Sequence, residues 1–287
     1  MPETAAPSQN SADTVVEKQV ERPSSALDEL INLIRRYDLW MTLAWSDTKL
    51  RYRRTVLGPF WVTITTGVLV LSVGLVYGKI FGSPSGMGAA GYMAYFATGI
   101  VLWSFISATL NEGCSVFIEN SGLIKALPVP LLLHVLRMMA RNIVLFAHNA
   151  VIVVLLWLFI QWPVGWSIAL VLPGFLLIVL TLFGAILTLG VLTTRFRDIQ
   201  QLVATLLQLF FLLTPILWPA SSIRGTQAAF LVDFNPLYYL LEVVRGPVLG
   251  QAVEPRVWIA AVATTAVSLV VGMGIYGRFR HRVAYWL

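Results

Sequence analysis

Residues 47–61, DTKLRYRRTVLGPFW, predict where this chain enters a membrane. Four basic residues fall within six positions, Lys49 to Arg54, and an uncharged apolar run follows them at once. Lysine and arginine near the end of a span are retained on the cytosolic side, so the basic half marks the inner boundary. Pro59 suits the first turn of a helix, where a missing N–H is no loss, and Phe60 and Trp61 fall where interfacial aromatic residues occur. The stretch therefore predicts the start of the first span and its direction.

Composition places most of the remaining chain in the membrane. The 287 residues are 57% hydrophobic and 12% charged, and the mean hydropathy is +0.78; a soluble domain carries about 25% charged residues. The net charge of +6 is concentrated at span ends, which favours membrane topology and contact with anionic lipid over binding to nucleic acid. The single cysteine, Cys114, excludes an internal disulfide and a CxxC metal site.

The chain divides into three predicted regions. Residues 1–25 are polar and have no apolar core, so they predict a disordered cytosolic tail without a cleavable signal peptide. Residues 26–56 begin with apolar residues at helical spacing opposite charged ones, which predicts an amphipathic helix in the plane of the interface. A helix docked on the protein's own cytosolic side fits the same pattern. Residues 57–287 form the predicted membrane domain.

The fold class predicted is an all-α membrane protein with six transmembrane helices. The apolar runs, each near the roughly 20 residues that a span needs, are 59–80, 92–111, 138–160, 168–192, 200–218 and 257–277. With both termini in the cytosol, this arrangement places 16 of the 20 Lys and Arg residues on the inner side and four on the outer side.

The connections between spans also carry predictions. The outer segment, about 219–255, is long and apolar but is interrupted by Asp233, Pro236, Glu242 and Arg245. Short re-entrant helices are expected there, with Asn235 as an N-cap and a stop at Gly246 and Pro247. On the inner side, 113–130 and the turn at 195–198 are either docking elements for a soluble partner or ordinary connectors.

Several kinds of chemistry are absent from the sequence. It contains no GxxxxGK[ST] loop, since Gly78 and Lys79 are followed by Ile80, and it contains neither HExxH nor GxSxG. No Asp or Glu falls in the middle of a predicted span, which argues against a proton-coupled carrier and against an intramembrane acid–base enzyme.

Two side-chain patterns remain open in function. One helical stripe contains His134, Arg137, Arg141 and His148. Its arginines either extend to the inner lipid headgroups, with the histidines hydrogen-bonded within the bundle, or the stripe faces a phosphate-bearing substrate. Aromatic residues recur in the second and fifth spans and in the outer segment, either as belt and core residues or as a stacking surface for sugars. Gly74 and Gly78 form a GxxxG pair that favours close helix packing, within one chain or between two.

Four separated motifs resemble permease subunits of ABC exporters for cell-surface polysaccharides, a family covering O-antigen, capsule and teichoic acid. They are Arg51–Trp61, Glu119–Lys125 with Pro128, Arg195–Ile199, and Asn235-Pro236 with Arg245. The resemblance extends from about Leu27 to the last residue. It implies a homodimer in the bacterial cytoplasmic membrane, together with two copies of a separate subunit that binds ATP and Mg, so that this chain itself holds no cofactor. The implied substrate is a glycan on undecaprenyl pyrophosphate or another lipid carrier, with O-antigen preferred.

The resemblance also implies roles for particular residues. Residues expected to contact the ATPase are Leu30, Ile34, Arg35, Glu119, Asn120, Ser121, Lys125, Arg197 and Asp198. Candidates for the lipid pyrophosphate are Arg51, Arg53, Arg54, Arg137 and Arg141. Candidates for the glycan path are Trp61, Tyr92, Tyr95, Phe96, Trp103, Phe210, Phe211, Trp218, Tyr238 and Tyr239. An exporter of drugs or lipids and a membrane glycosyltransferase or acyltransferase remain as alternatives.

Overall fold

The regular structure of the chain is helical throughout the part that the structure, a computed structural model, describes: residues 25–53, 58, 60–81, 86–127, 129–223 and 225–287. Apart from Ser25, the predicted tail lies outside these residues. The helices of the first half are α1 (Ala26–Arg35), α2 (Tyr37–Tyr52), α3 (Phe60–Phe81), α4 (Gly88–Glu119), α5 (Ser121–Ala126) and α6 (Leu131–Ile160). Those of the second half are α7 (Val171–Arg195), α8 (Ile199–Leu213), α9 (Phe230–Asp233), α10 (Pro236–Val248) and α11 (Pro255–Trp286).

Five helices in the described residues are long and apolar enough to cross a membrane. They are Phe60–Phe81, Gly88–Ala126, Leu131–Ile160, Trp166–Arg195 and Pro255–Trp286. The all-α class and five of the predicted spans are thus confirmed. The other predicted span, 200–218, contains α8, whose 15 residues extend for only about 22 Å at 1.5 Å per residue. A hydrocarbon core is roughly 30 Å thick, so α8 alone is shorter than a full span.

The helix α4 forms the centre of the bundle. It contacts α3, α6 and α7, and the apolar part of its span is 72% buried, compared with 11% for α3 and for α6. The GxxxG pair of α3 faces this central helix, because a Cβ on Gly74 would meet Met93 and one on Gly78 would meet Ala89. The GxxxG contact therefore lies within one chain.

The closest approach of two spans is between α7 and α11. A Cβ on Gly184 would lie 2.4 Å from the carbonyl oxygen of Ser268, and one on Gly272 would lie 2.2 Å from that of Gly184. Hydrogen bonds reinforce the contact: the hydroxyls of Thr181 and Thr265 lie 2.8 Å apart, and Ser268 donates to the Thr181 carbonyl at 2.7 Å. Small residues and hydroxyl groups at one interface hold helices together where lipid provides no hydrophobic driving force.

Helix α1 has two faces with different environments. Ser25 begins the helix with a capping box, in which its hydroxyl accepts from the N–H of Asp28 at 3.0 Å. One face carries Glu29 and Leu33, which are buried against the bundle. The other face, with Leu27 and Ile34, is apolar and more than half exposed. The helix thus docks on its own protein and still presents an apolar face outward.

The outer segment starts its main helix as the sequence predicts. The Asn235 side chain accepts hydrogen bonds from the N–H groups of Leu237 at 3.0 Å and Tyr238 at 3.3 Å, with Pro236 in the first turn. The predicted stop at Gly246 is wrong by two residues, since α10 continues to Val248 with Pro247 inside it. Pro247 removes one backbone hydrogen bond from the last turn, and the helix ends one residue later.

Candidate functional site

Three arginines predicted to bind phosphate come together with two carboxylates at the α2 end of the bundle. Arg137 donates from Nε and Nη2 to the two carboxylate oxygens of Asp47. Arg141 donates from Nη2 to Glu112 at 2.7 Å, and its Nη1 lies 3.9 Å from Asp47. Arg51 donates from Nη1 to Glu112 at 2.9 Å. We call these five residues the arginine cluster.

Helical spacing from three elements builds the arginine cluster. Asp47 and Arg51 lie four residues apart on α2, Arg137 and Arg141 lie four apart on α6, and Glu112 comes from α4, so each pair shares one helix face. The Arg51 side chain is 48% exposed, whereas the other four are 13–22% exposed. The ion pairs therefore fasten α2 to two spans in a partly desolvated position.

The cluster has more donors than its carboxylates use. Three guanidinium groups face two carboxylates, which leaves one excess positive charge. The Nε–H of Arg141 and the side-chain oxygen of Asn142 are buried without a hydrogen-bond partner in the described residues. Burial lowers the pKa of Arg51, but the hydrogen bond and charge of Glu112 outweigh this effect and raise the pKa above its usual value. The cluster thus has a guanidinium donor that its own carboxylates leave unpaired.

The other candidates of the basic group lie apart from this cluster. Arg53 is exposed directly after α2, and Arg54 lies outside the described residues. His134 is 1% exposed, and both its ring nitrogens are buried without a partner among the described residues. The ring of His148 lies within hydrogen-bond distance, 2.7 Å, of the Val144 carbonyl and contacts Phe60 edge-on.

A second junction at the same end centres on the buried Glu29 carboxylate of α1. It accepts hydrogen bonds from the Tyr276 hydroxyl at 2.8 Å, from Arg280 Nη1 at 3.2 Å and from the N–H of Leu132 at 3.3 Å. Tyr276 and Arg280 belong to α11, and Leu132 lies in the first turn of α6. One side chain therefore fastens the amphipathic helix to two spans.

The residues predicted to contact an ATPase occupy three separate elements. Leu30 is half-buried on α1, whereas Ile34 and Arg35 are exposed. At the corner between α4 and α5, Glu119 and Lys125 are exposed and Asn120 and Ser121 are half-buried. Arg197 and Asp198 are exposed in the turn between α7 and α8.

The final turns of α11 connect these three elements. Glu29 joins α1 to α11 by the hydrogen bonds above, α5 contacts α11 directly, and the guanidinium of Arg195 lies 5.4 Å from the ring centre of Trp286. The end of α11 was not among the sequence-predicted site residues. The one sequence signal at this end is the group Arg278, Arg280 and Arg282, which also fits the cytosolic end of a span.

At the opposite end, polar side chains satisfy the irregular backbone that follows α8. Tyr95 donates to the carbonyls of Pro215 at 2.8 Å and Trp218 at 3.3 Å, and Tyr92 donates to that of Leu217 at 2.5 Å. Arg245 donates from Nη1 to the Pro215 carbonyl at 2.6 Å. Backbone that leaves a helix inside a membrane needs such partners, since lipid offers none.

Arg245 is the centre of this outer junction. Its side chain is 1% exposed, its Nε donates to Glu242 at 3.0 Å, and its guanidinium lies 4.0 Å from the centre of the Tyr95 ring. A buried charge needs this combination of ion pair, hydrogen bonds and aromatic face. The junction ties α4, the segment after α8, and α10 together.

The aromatic candidates fall into groups with different exposure. Tyr92 stacks on Tyr95 and Phe96, with ring centres 6.5 and 6.4 Å apart, and all three are buried. Trp103 is buried against Phe211 at 5.9 Å. The remaining aromatic candidates differ in exposure. Tyr238 and Tyr239 are buried in contact with each other, and Phe210 and Trp218 are half-buried. Trp61 is 59% exposed and lies apart from the rest.

Sequence reasoning missed three carboxylates that organise these junctions: Glu29, Asp47 and Glu112. The search for acids considered the middle of spans, whereas these three lie outside the centres of the predicted spans and pair with residues 29 to 251 positions away. The spacing of Asp47 to Arg51 and of Arg137 to Arg141 was the one available signal. Within the described residues, His, Cys, Asp and Glu side chains form no group of three that could hold a metal ion.

Known proteins resemble this chain over most of its length. Residues 38–249 match the family model described as ABC-2 type transporter. An O-antigen export system permease protein RfbA from Klebsiella pneumoniae is 24% identical over 259 residues, which cover 88% of this chain and 96% of that protein. A protein of the same name from Myxococcus xanthus is 27% identical over 220 residues, which cover 74% of this chain and 82% of that protein.

Proposed function

The chain belongs to the ABC-2 type transporter family, and from that premise we propose that it exports a lipid-linked polysaccharide, specifically an O-antigen, across the bacterial cytoplasmic membrane. As a member of this family it is a multi-pass transport permease, and ATP hydrolysis belongs to a separate subunit. The observation that carries the choice of substrate is the match to O-antigen permeases over up to 96% of their length. The four motifs that resemble polysaccharide permeases support the same choice.

The proposed topology has six spans and cytosolic termini. The span added to the five long helices, fifth in chain order, is α8 extended by residues 214–218, whose carbonyls receive hydrogen bonds from Tyr92, Tyr95 and Arg245. The segment 219–255 then returns through the outer leaflet as short helices. The distribution of 16 of 20 basic residues supports this orientation.

The proposed coupling surface is formed by exposed parts of α1, the α4–α5 corner and the α7–α8 turn. Its members are Leu30, Ile34, Arg35, Glu119, Asn120, Ser121, Lys125, Arg197 and Asp198. The end of α11 joins all three elements, which favours their movement as one unit when an ATPase subunit binds ATP. A ligand shifts a conformation only through its differential affinity for the two states, so ATP acts on this chain through that surface.

The proposed glycan path runs along the half-buried rings of Phe210, Phe211 and Trp218. Rings with an accessible face stack on sugars without requiring one particular sequence. Tyr92 and Tyr95 support this path by donating hydrogen bonds to the backbone after α8, and Phe96 stacks on Tyr92. Two copies of the chain are proposed to form the transporter, and the proposed contact between them is the exposed side of α8 with Leu202, Leu206 and Leu209.

Reconstitution tests the proposed function directly. The permease and its ATPase partner are placed in proteoliposomes that carry a fluorescent undecaprenyl-diphosphate glycan on one leaflet, and ATP-dependent movement to the other leaflet is followed by quenching. We expect movement that needs both subunits and hydrolysable ATP. ATP hydrolysis by the purified permease alone, or normal surface polysaccharide in cells lacking the chain, would contradict the proposal.

A further inference from the structure

We propose that the arginine cluster is a diphosphate-recognition site in a self-occupied state, in which Asp47 and Glu112 stand where the two phosphoryl groups of the substrate bind. The inference rests on the proposed function, because it takes the lipid diphosphate of that function as its ligand. It assigns two carboxylates to the site and gives them a role in its regulation.

The geometry at Arg141 carries the proposal. One guanidinium faces both carboxylates: its Nη2 lies 2.7 Å from Glu112, and its Nη1 lies 3.9 Å from Asp47. The two nitrogens belong to a single planar fork, so the two anionic groups stand side by side. A diphosphate offers the same arrangement, with two adjacent anionic groups in one molecule, and planar guanidinium forks match phosphate oxygens well.

Hydrogen-bond donors that the carboxylates leave unpaired favour replacement of the carboxylates by a diphosphate. The Nε–H of Arg141 is buried without a partner among the described residues, and the cluster has one more guanidinium than carboxylate. The diphosphate of a lipid-linked glycan carries two negative charges and four non-bridging oxygens, as many as the two carboxylates, and no helix backbone restricts where its oxygens can lie. It can therefore occupy donors that Asp47 and Glu112 leave unpaired.

Displacing the carboxylates has a structural consequence for α2. Asp47 is carried by α2, and its bonds to Arg137 hold that helix against α6. When diphosphate occupies Arg137 and Arg141, Asp47 loses these partners and α2 loses its ionic attachment to α6. Arrival of substrate thus loosens the helix that links the amphipathic segment to the first span.

Binding measurements on the full-length permease in nanodiscs test the role of the carboxylates. The probes are farnesyl diphosphate, inorganic pyrophosphate and phosphatidylglycerol, which distinguish an isoprenyl diphosphate from a free anion and from a bulk lipid headgroup. We expect Asp47→Asn and Glu112→Gln each to bind farnesyl diphosphate about tenfold more tightly, the equivalent of one competing charge-assisted hydrogen bond. Arg141→Lys, which keeps the charge but loses the fork, should bind it about tenfold more weakly.

Matched controls separate this effect from a general change in charge. Asp38→Asn removes the same charge from an exposed position of α2 and should leave the affinity unchanged. Glu112→Asp keeps the charge and shortens the side chain, which provides a second variant if Glu112→Gln does not fold. The proposal is overturned if Asp38→Asn increases the affinity for farnesyl diphosphate as much as the cluster variants do. It is also overturned if neither Asp47→Asn nor Glu112→Gln increases that affinity.

Hydrogen exchange tests the release of α2. Adding farnesyl diphosphate should speed amide exchange in Tyr37–Tyr52 and leave Val171–Arg195 unchanged. Unchanged exchange in α2 despite binding would refute the release. A different result would refute the proposed function. If the wild-type chain binds phosphatidylglycerol more tightly than farnesyl diphosphate, the proposed substrate class is wrong. If it binds farnesyl diphosphate with an affinity that does not depend on Asp47 or Glu112, only the self-occupied site is refuted.

Discussion

Replacing Arg245 by methionine tests whether one buried guanidinium holds the outer segment in place. Methionine is also long and flexible but has no donor, so the Glu242 carboxylate loses its ion-pair partner and the Pro215 carbonyl keeps only the hydroxyl of Tyr95. Removing one member of a buried ion pair costs about 3–5 kcal/mol. At roughly 2 °C per kcal/mol for a chain of this size, we expect the midpoint of thermal unfolding to fall by about 6–10 °C.

The single cysteine provides the assay. Cys114 is fully buried on α4, so a maleimide dye that fluoresces on reaction reports the unfolding of the central helix in detergent or nanodiscs. Arg256→Met is the matched control, because Arg256 pairs with Asp233 on the same outer side but its side chain is 66% exposed. Exposed pairs contribute little, and this variant should melt with the wild type. Equal melting of Arg245→Met and wild type, or an equal fall for both variants, would refute the role given to Arg245.

Three further predictions concern other contacts. Gly272→Ala should prevent folding of the bundle, because its Cβ would lie 2.2 Å from the Gly184 carbonyl oxygen. The control Gly274→Ala meets nothing within 4 Å and should be neutral or stabilise the helix by about 1 kcal/mol. Size-exclusion profiles of the two variants distinguish folded from unfolded protein. Glu29→Gln should speed hydrogen exchange in Ala26–Arg35 about tenfold or more, the equivalent of one charge-assisted hydrogen bond. The control Glu119→Gln, at an exposed position, should leave exchange in Ala26–Arg35 unchanged. Equal exchange rates in the two variants would exclude Glu29 as the anchor of α1. In a Cys114→Ser background, Leu209→Cys should form an oxidised dimer, and Leu172→Cys, at an exposed position of α7, should not; monomers in both cases would exclude α8 as the contact between copies.

The membrane character of the fold follows from composition and charge alone. Apolar length identified the spans because each must cover the hydrocarbon core. The same reasoning made two spans too short: α4 continues to Glu119, past the apolar run 92–111, and α6 begins at Leu131, before the run 138–160. Hydropathy detects the part of a helix that lipid surrounds, and it says nothing about the part that extends beyond it.

The contacts that build the candidate site could not be predicted in the same way. Periodicity indicates which residues share a helix face, as it did for Arg137 and Arg141, but it does not identify what that face meets. The partner of Arg137 is 90 residues away on α2, and that of Arg141 is 29 residues away on α4. Such pairings depend on how the spans pack, which single-sequence patterns leave open.

The outer segment shows the same limit. Local chemistry predicted the Asn235 cap and the Pro236 start, because both depend on neighbouring residues only. The role of Arg245 depends on the carbonyl of Pro215, 30 residues earlier, and on the ring of Tyr95 in another span. The sequence marked Arg245 as a charge that interrupts an apolar run, and the structure explains how that charge is accommodated.

The junction at Glu29 has a consequence for the order in which the protein matures. Its hydrogen-bond partner Tyr276 is 247 residues further along the chain, so α1 emerges from the ribosome long before the helix that anchors it exists. Until α11 has been synthesised and inserted, the Glu29 carboxylate remains in water or at the headgroups. Docking of α1 is therefore a late step, and a nascent chain that has not yet made α11 is distinguishable, by its loose first helix, from a finished one.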